Sequence, residues 1–178
     1  GTLIIHEDNK DEIAKLFNNL LGSSNEISGS VFVPIEPSNK KFNKNREEIF
    51  KFNDLKYEGP FLAIRMEGSK KSIDERIRDL LIELNLKNKK KSILDLHQSL
   101  LFWEKINNLE LFSNIKNSLV RVVVPPSKCI NLMKYLDHDY KYYIDWCGSL
   151  FWIELLDMNQ EKLIIIKDYI TNLGGYIT

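Results

Sequence analysis

Apolar positions in this chain recur with two periods, and their order predicts the architecture. A short apolar strand, Leu3-Ile4-Ile5, opens the chain. Asp8 or Asn9 can cap a helix with the stripe Ile13, Leu16, Phe17, Leu20 and Leu21, which ends at Gly22. Residues 27–34, ISGSVFVP, read as a second strand. From Glu36 to Pro60 the chain turns polar and Lys/Asn-rich, with Pro37, Gly59 and Pro60 as punctuation, which predicts a long excursion. Phe61 to Glu67 then alternates, with Leu62, Ile64 and Met66 on one face and Ala63, Arg65 and Glu67 on the other. Gly68 ends that strand. Ser72 and Glu75 have the spacing of a capping box before a helix that buries Ile73, Ile77, Leu80, Leu81 and Leu84.

Lys87 to Lys91 reads as a solvated connection, followed by a helical segment from about Leu94 to Leu109. The opening pattern then returns. Leu119 to Val124 is a strand stopped by Pro125-Pro126, and Ser127 can cap a helix carrying Ile130, Met133 and Leu136. Tyr140 to Trp146 and Leu150 to Leu155 are strands joined at Cys147-Gly148-Ser149. Asp157 or Asn159 starts a last helix with the stripe Leu163, Ile166, Ile170 and Leu173; Gly174-Gly175 ends it, and Tyr176-Ile177 begins a further strand. This order predicts an α+β protein made of two ferredoxin-like βαββαβ subdomains, a duplication, with antiparallel sheets and helices on one face. The expected boundaries are 1–90 for the first subdomain, with 36–60 as the excursion, 91–117 for a helical connection, and 118–178 for the second subdomain.

Composition narrows the function classes. The chain has 178 residues, 43% of them hydrophobic and 28% charged, which is ordinary globular composition. Its 25 basic and 25 acidic side chains cancel, so charge gives no warrant for a nucleic-acid partner or an anionic membrane. No uncharged apolar run approaches the ~20 residues that span a bilayer. Cys129 and Cys147 form no CxxC and have no nearby histidine, so neither a zinc site nor a disulfide framework is expected. The chain opens on Gly1 without a signal-peptide pattern, and the expectation is a cytoplasmic piece of a longer protein.

No familiar catalytic signature is present: GxGxxG, the P-loop, GxSxG and HExxH are all missing. His6, His97 and His138 are scattered and read as structural or surface residues. The densest chemistry lies between Tyr140 and Trp152. Period two there places Tyr140, Tyr142, Ile144 and Trp146 on one face, and Lys141, Tyr143 and Asp145 on the other. Arg121 interrupts an apolar strand, and Arg65 lies on the polar face of another. A sheet face bearing Arg, Tyr and Asp can bind a planar anion, because Arg pairs bidentately with carboxylate. The alternative is a half-exposed sheet in which Arg121 pairs with Asp145 across adjacent strands and contributes only modest stability. An RNA-recognition role is disfavoured, since the basic-Gly-aromatic strand motif is missing.

Several segments, in order, resemble the C-terminal half of the FAD-binding E subunit of bacterial glycolate oxidase (glycolate dehydrogenase). Ser28-Gly29 to Pro34 resembles its SGxxxLP strand, with Val33 in place of leucine. Residues 62–68, LAIRMEG, are similar to its LxRLEG strand, and Leu101 to Phe112 to its aromatic helix. Residues 119–126, LVRVVVPP, resemble WRxSVPP, with Val123 in place of serine. Residues 145–152, DWCGSLFW, resemble the DWGGxxxW hairpin, with Cys147 in place of the first glycine. Gly174-Gly175 matches the closing pair.

The resemblance implies a vanillyl-alcohol-oxidase-type flavoprotein. In that family an N-terminal domain holds FAD, and a C-terminal ferredoxin-like duplication caps the isoalloxazine and shapes the substrate pocket. This chain would be the cap, inactive without its FAD-binding domain and not expected to hold FAD alone. Its partners would be that domain, other glycolate oxidase subunits and a small 2-hydroxy acid. Arg65 and Arg121 are then candidates to hold the substrate carboxylate, with Asp145 and Trp146 bordering the pocket. The competing function is a stand-alone ferredoxin-like module that binds a small molecule or another protein.

Overall fold

A computed structural model describes residues 1–34, 49–51, 59–113, 117–136, 140–155 and 160–178. The elements are β1 (Thr2–His6), α1 (Lys10–Gly22), β2 (Gly29–Val33), β3 (Phe61–Arg65), α2 (Lys70–Glu83), β4 (Lys91–Leu94) and α3 (Leu96–Asn107). They continue with β5 (Ser118–Val123), α4 (Cys129–Leu136), β6 (Lys141–Asp145), β7 (Leu150–Leu155), α5 (Gln160–Asn172) and β8 (Tyr176–Ile177). The strands form one eight-stranded antiparallel sheet in the order β4-β1-β3-β2-β6-β7-β5-β8.

That order contains the same unit twice. Elements β1 to β4 give β4-β1-β3-β2, and elements β5 to β8 give β6-β7-β5-β8, which is the same order read from the other end. The α+β, ferredoxin-like duplication expected from the sequence is therefore the observed fold. The two units meet at β2 and β6, which pair antiparallel with Val31 opposite Asp145 and Phe32 opposite Ile144. A single sheet thus runs unbroken through both units.

Strand alternation sends side chains to two separate cores. Leu3, Ile5, Phe32, Leu62, Ile64, Ile144, Phe151 and Ile153 pack under α1, α2, α4 and α5. Ile4, Val31, Val33, Phe61, Ala63 and Tyr143 face the other way, against Phe102, Trp103 and Ile106 of α3 and the Leu111-Phe112 turn. The four helices of the repeats lie on one face, as expected. The connecting helix α3, which belongs to neither repeat, covers the opposite face of the first unit. Phe50 joins this second core, its ring 5.5 Å from Phe61 and 5.1 Å from Phe102. Burying each such side chain stabilises by about 1.5–3 kcal/mol, so both faces contribute to the sheet's stability.

Local physics shifts several expected boundaries. Asn9 caps α1, its side chain accepting the Asp11 and Glu12 N–H groups. Ser69 rather than Ser72 caps α2, and the helix begins one turn early. The expected solvated connection ends in a strand: Lys91–Leu94 pairs with β1 and completes the first unit beyond residue 90. The following helix starts at Leu96, where Asp95 and Gln98 make a reciprocal capping box. Leu21 and Leu163, both assigned to buried stripes, are exposed. Of the 36–60 excursion only residues 49–51 and 59–60 are described, and the start of the last helix at Asp157 or Asn159 lies outside the described residues. No helix among the described residues is long and apolar enough to cross a membrane.

Candidate functional site

The ladder registers decide which candidate residues share a surface. On β5, Arg121 is directly opposite Trp152 of β7, and Trp152 is opposite Tyr143 of β6. Direct partners point to the same face, so Arg121, Trp152 and Tyr143 form one row on the face away from the repeat helices. Tyr143 is buried there, stacked on Phe112 with ring centroids 5.7 Å apart and donating its hydroxyl to the Ile106 carbonyl at 3.1 Å. Arg121 and Trp152 stay partly exposed at the outer end of the row.

Trp146 joins this row through an unusual turn. Trp146, Cys147 and Gly148 have φ values of +51°, +48° and +89°. Alternation from Tyr140 predicts Trp146 on the helix-covered face; the positive φ reverses that. Its ring stands 5.2 Å from the Arg121 guanidinium, on the other side, and the residue is 56% exposed. A cation over an indole face at this distance is worth about 0.5–1 kcal/mol at an exposed site.

Each left-handed residue in the turn is anchored. Asp145 accepts the Trp146 N–H at 2.7 Å. Ser30 Oγ, from β2 of the first unit, accepts the Cys147 N–H at 2.9 Å and donates to Cys147 Sγ at 3.1 Å. Gly148 lies against α1 and α4, where a Cβ would come within 3.0 Å of Cys129 Sγ and 3.1 Å of Phe17 Cδ2. Burial raises the Asp145 carboxyl above its ordinary range, partly offset by the Trp146 N–H. Burial also raises both thiols. Cys129 is pushed to about 12, while for Cys147 the Ser30 bond offsets part of the shift. Neither cysteine is activated as a nucleophile.

No family model and no curated protein matches this chain. The functional reading therefore depends on where its own residues stand.

The candidate residues divide into two groups. Arg121 and Trp146 are in contact, and Asp145 joins them only through its bond to the Trp146 N–H. Asp145 and Arg121 do not sit on adjacent strands, because β7 lies between theirs. That removes the cross-strand pair envisaged as the structural alternative. Arg65 stands apart on β3, four strands from Arg121, or about 19 Å at ~4.8 Å per strand. Its guanidinium pairs with Glu67 at 2.8 Å and lies 5.7 Å from the Trp103 ring. Trp103 is fixed in turn by donating to Thr2 Oγ1 at 2.8 Å, and that hydroxyl meets Ser99 Oγ at 2.7 Å. Arg121 has no carboxylate partner among the described residues.

Two site residues escaped the sequence. Trp152 was visible in the hairpin motif, but its place beside Arg121 follows from the β5–β7 register. Ser30 reads as an ordinary strand serine, and only the β2–β6 seam brings it to Cys147. A groove of about 640 Å3, lined by Gly1, Ile73, Ile93, Leu96 and His97 among others, opens at the β4 edge. It lies at the far end of the sheet from Arg121 and contains none of the candidate residues.

Proposed function

We propose that this chain is the cap, or substrate, domain of an FAD-linked oxidoreductase of the glycolate-oxidase type, acting on a small 2-hydroxy acid. The reading is supported by the order of the motifs along the chain and by the doubled ferredoxin-like sheet. One observation carries it furthest: Arg121 presents a guanidinium with no carboxylate partner among the described residues, over the Trp146 indole and directly across the strands from Trp152. That is the chemistry of a site for a small carboxylate bound against a flat aromatic wall.

FAD fits this chain only as a neighbour. The wall offers a cation and two indoles, while no glycine-rich loop in the sequence could cradle a dinucleotide phosphate. The flavin, held by another domain, would supply the two-electron chemistry at the hydroxyl-bearing carbon. This chain's residues would bind and orient. Arg121 would take the carboxylate through paired N–H bonds, and Trp146 and Trp152 would exclude water from the flank of the substrate. Asp145 would hold the Trp146 turn through its N–H rather than contact the substrate. A cytoplasmic location and association with other oxidase subunits belong to the same proposal.

The test is Arg121→Ala in the flavoprotein. A charge-assisted hydrogen bond contributes about 1.5–3 kcal/mol, so KM for the hydroxy acid should rise about 10- to 100-fold with the flavin content unchanged. An unchanged KM and unchanged turnover would reject Arg121 as the carboxylate anchor.

A further inference from the structure

We infer that Ser30 is the positioning residue of the Arg121–Trp146 wall, holding from the first unit a turn that belongs to the second. Three successive left-handed residues, of which Trp146 and Cys147 carry side chains, persist only where their surroundings over-determine them. Cys147 would adopt φ +48° without penalty only as glycine. What holds it as cysteine is the fully buried Ser30 hydroxyl, which satisfies its N–H and its sulfur together. The β2–β6 seam beside this contact has only two register pairs, Val31 with Asp145 and Phe32 with Ile144. The seam's ladder therefore ends at Asp145, the residue next to Trp146, and the Ser30 bonds continue the link between the units through the turn.

Movement of Cys147 is movement of its neighbour Trp146. If the Ser30 hydroxyl is removed, Cys147 can relax toward negative φ, and the Trp146 ring leaves Arg121. The consequence for substrate rests on the function proposed above. The positioning itself is measurable without any reaction.

The experiment uses the whole chain carrying Ser30→Ala, with far-UV circular dichroism to establish that it folds. Cys147 is labelled with an aromatic disulfide reagent, and the labelled peptide is located by mass spectrometry. The Trp146 emission is isolated by subtracting a Trp146→Phe control. The expected result is Cys147 labelling about fivefold faster or more, the change from losing one hydrogen bond, together with altered Trp146 emission and easier acrylamide quenching. Adding Cys147→Gly to Ser30→Ala should restore the Trp146 emission, because glycine takes the left-handed conformation unaided. Cys147→Gly alone should leave that emission as in the wild type, and this arm stands even if Ser30→Ala fails to fold.

Unchanged labelling and emission in Ser30→Ala would overturn the inference. So would a changed emission that glycine does not restore, since the hydroxyl would then only fill space. In the flavoprotein, Ser30→Ala should raise KM for the hydroxy acid more than it lowers kcat. If labelling and emission change while KM does not, the positioning role stands and the proposed substrate site is what fails.

Discussion

Gly148→Ala gives the sharpest test of the turn that presents Trp146. The residue has φ +89°, which costs an alanine about 1 kcal/mol. Its new Cβ would come within 3.0 Å of Cys129 Sγ, 3.1 Å of Phe17 Cδ2 and 3.2 Å of Cys129 Cβ. Cys129 is 0% exposed and Phe17 1%, so neither side chain has solvent to move into. Overpacking of this kind costs about 1–3 kcal/mol. The sum is about 2–4 kcal/mol, a large fraction of the ~5–15 kcal/mol that holds a domain folded. At about 2–4 °C per kcal/mol for a chain of this size, the midpoint should fall by roughly 5–15 °C. Thermal and urea unfolding followed by far-UV circular dichroism measure it. Gly22→Ala is the control. That glycine ends α1 with no atom within 4 Å of the would-be Cβ. The same chemical change there should leave stability equal or raise it by about 0.5–1 kcal/mol. If Gly148→Ala is tolerated as well as Gly22→Ala, the turn is not packed as described.

Other residues give further expectations. Arg65→Ala should cost only about 0.5–1 kcal/mol, since the guanidinium holds a half-exposed contact with Glu67 and Trp103, and should leave KM for a hydroxy acid unchanged; a large rise in KM would place substrate at Arg65. Burial opposes the Glu7 charge, but the Lys89 bond and the Asp8 and Asn9 N–H groups outweigh it and hold the carboxyl below its ordinary 4.5. The sign follows: Glu7 stabilises fully above that ordinary value, and the contribution is lost as pH falls through the lower native one. Glu7→Gln should therefore cost about 1–2 kcal/mol at pH 7, with the solvent-exposed Lys89 end screened, and the gap from the wild type should close in acid; a gap independent of pH in urea titrations would contradict this. Asp145 has the opposite sign, because its raised value makes the native state the tighter proton binder, and stability falls as pH rises from the ordinary carboxylate value to the native one. Asp145→Asn keeps an acceptor for the Trp146 N–H and should match the wild type at pH 7 or exceed it by about 0.5–1 kcal/mol, whereas a clear loss in chemical denaturation would show that the charge itself is needed.

The repeat was legible because most strands alternate and most helices have apolar stripes that packing respects. β4 was not: Lys91-Ser92-Ile93-Leu94 sits in a lysine run and exposes Ile93. It becomes a strand through its partner, with the His6 N–H bonded to the Lys90 carbonyl at 3.0 Å leading into the ladder. The capping site of α2 moved one turn because both Ser69 and Ser72 are competent caps, and sequence alone does not rank them. Trp146 was placed on the wrong face because alternation assumes extended backbone throughout, and a left-handed residue breaks the count. What the strand order means for the site was the larger gap. In this topology β7 threads between β5 and β6, so Arg121 meets Trp152 and not Asp145. Nothing local encodes that neighbour relation; it arises from how the helical crossovers close. The pairing of Ser30 with Cys147, 117 positions apart, depends on the same closure.

The most direct test of the proposed function is the visible absorption spectrum of the protein made from its complete gene, before and after anaerobic addition of glycolate or D-lactate. A cap domain of an FAD-linked hydroxy-acid oxidase predicts flavin bands that bleach when substrate is added. A colourless protein that takes up no FAD would contradict the proposal and leave a stand-alone ferredoxin-like module in its place.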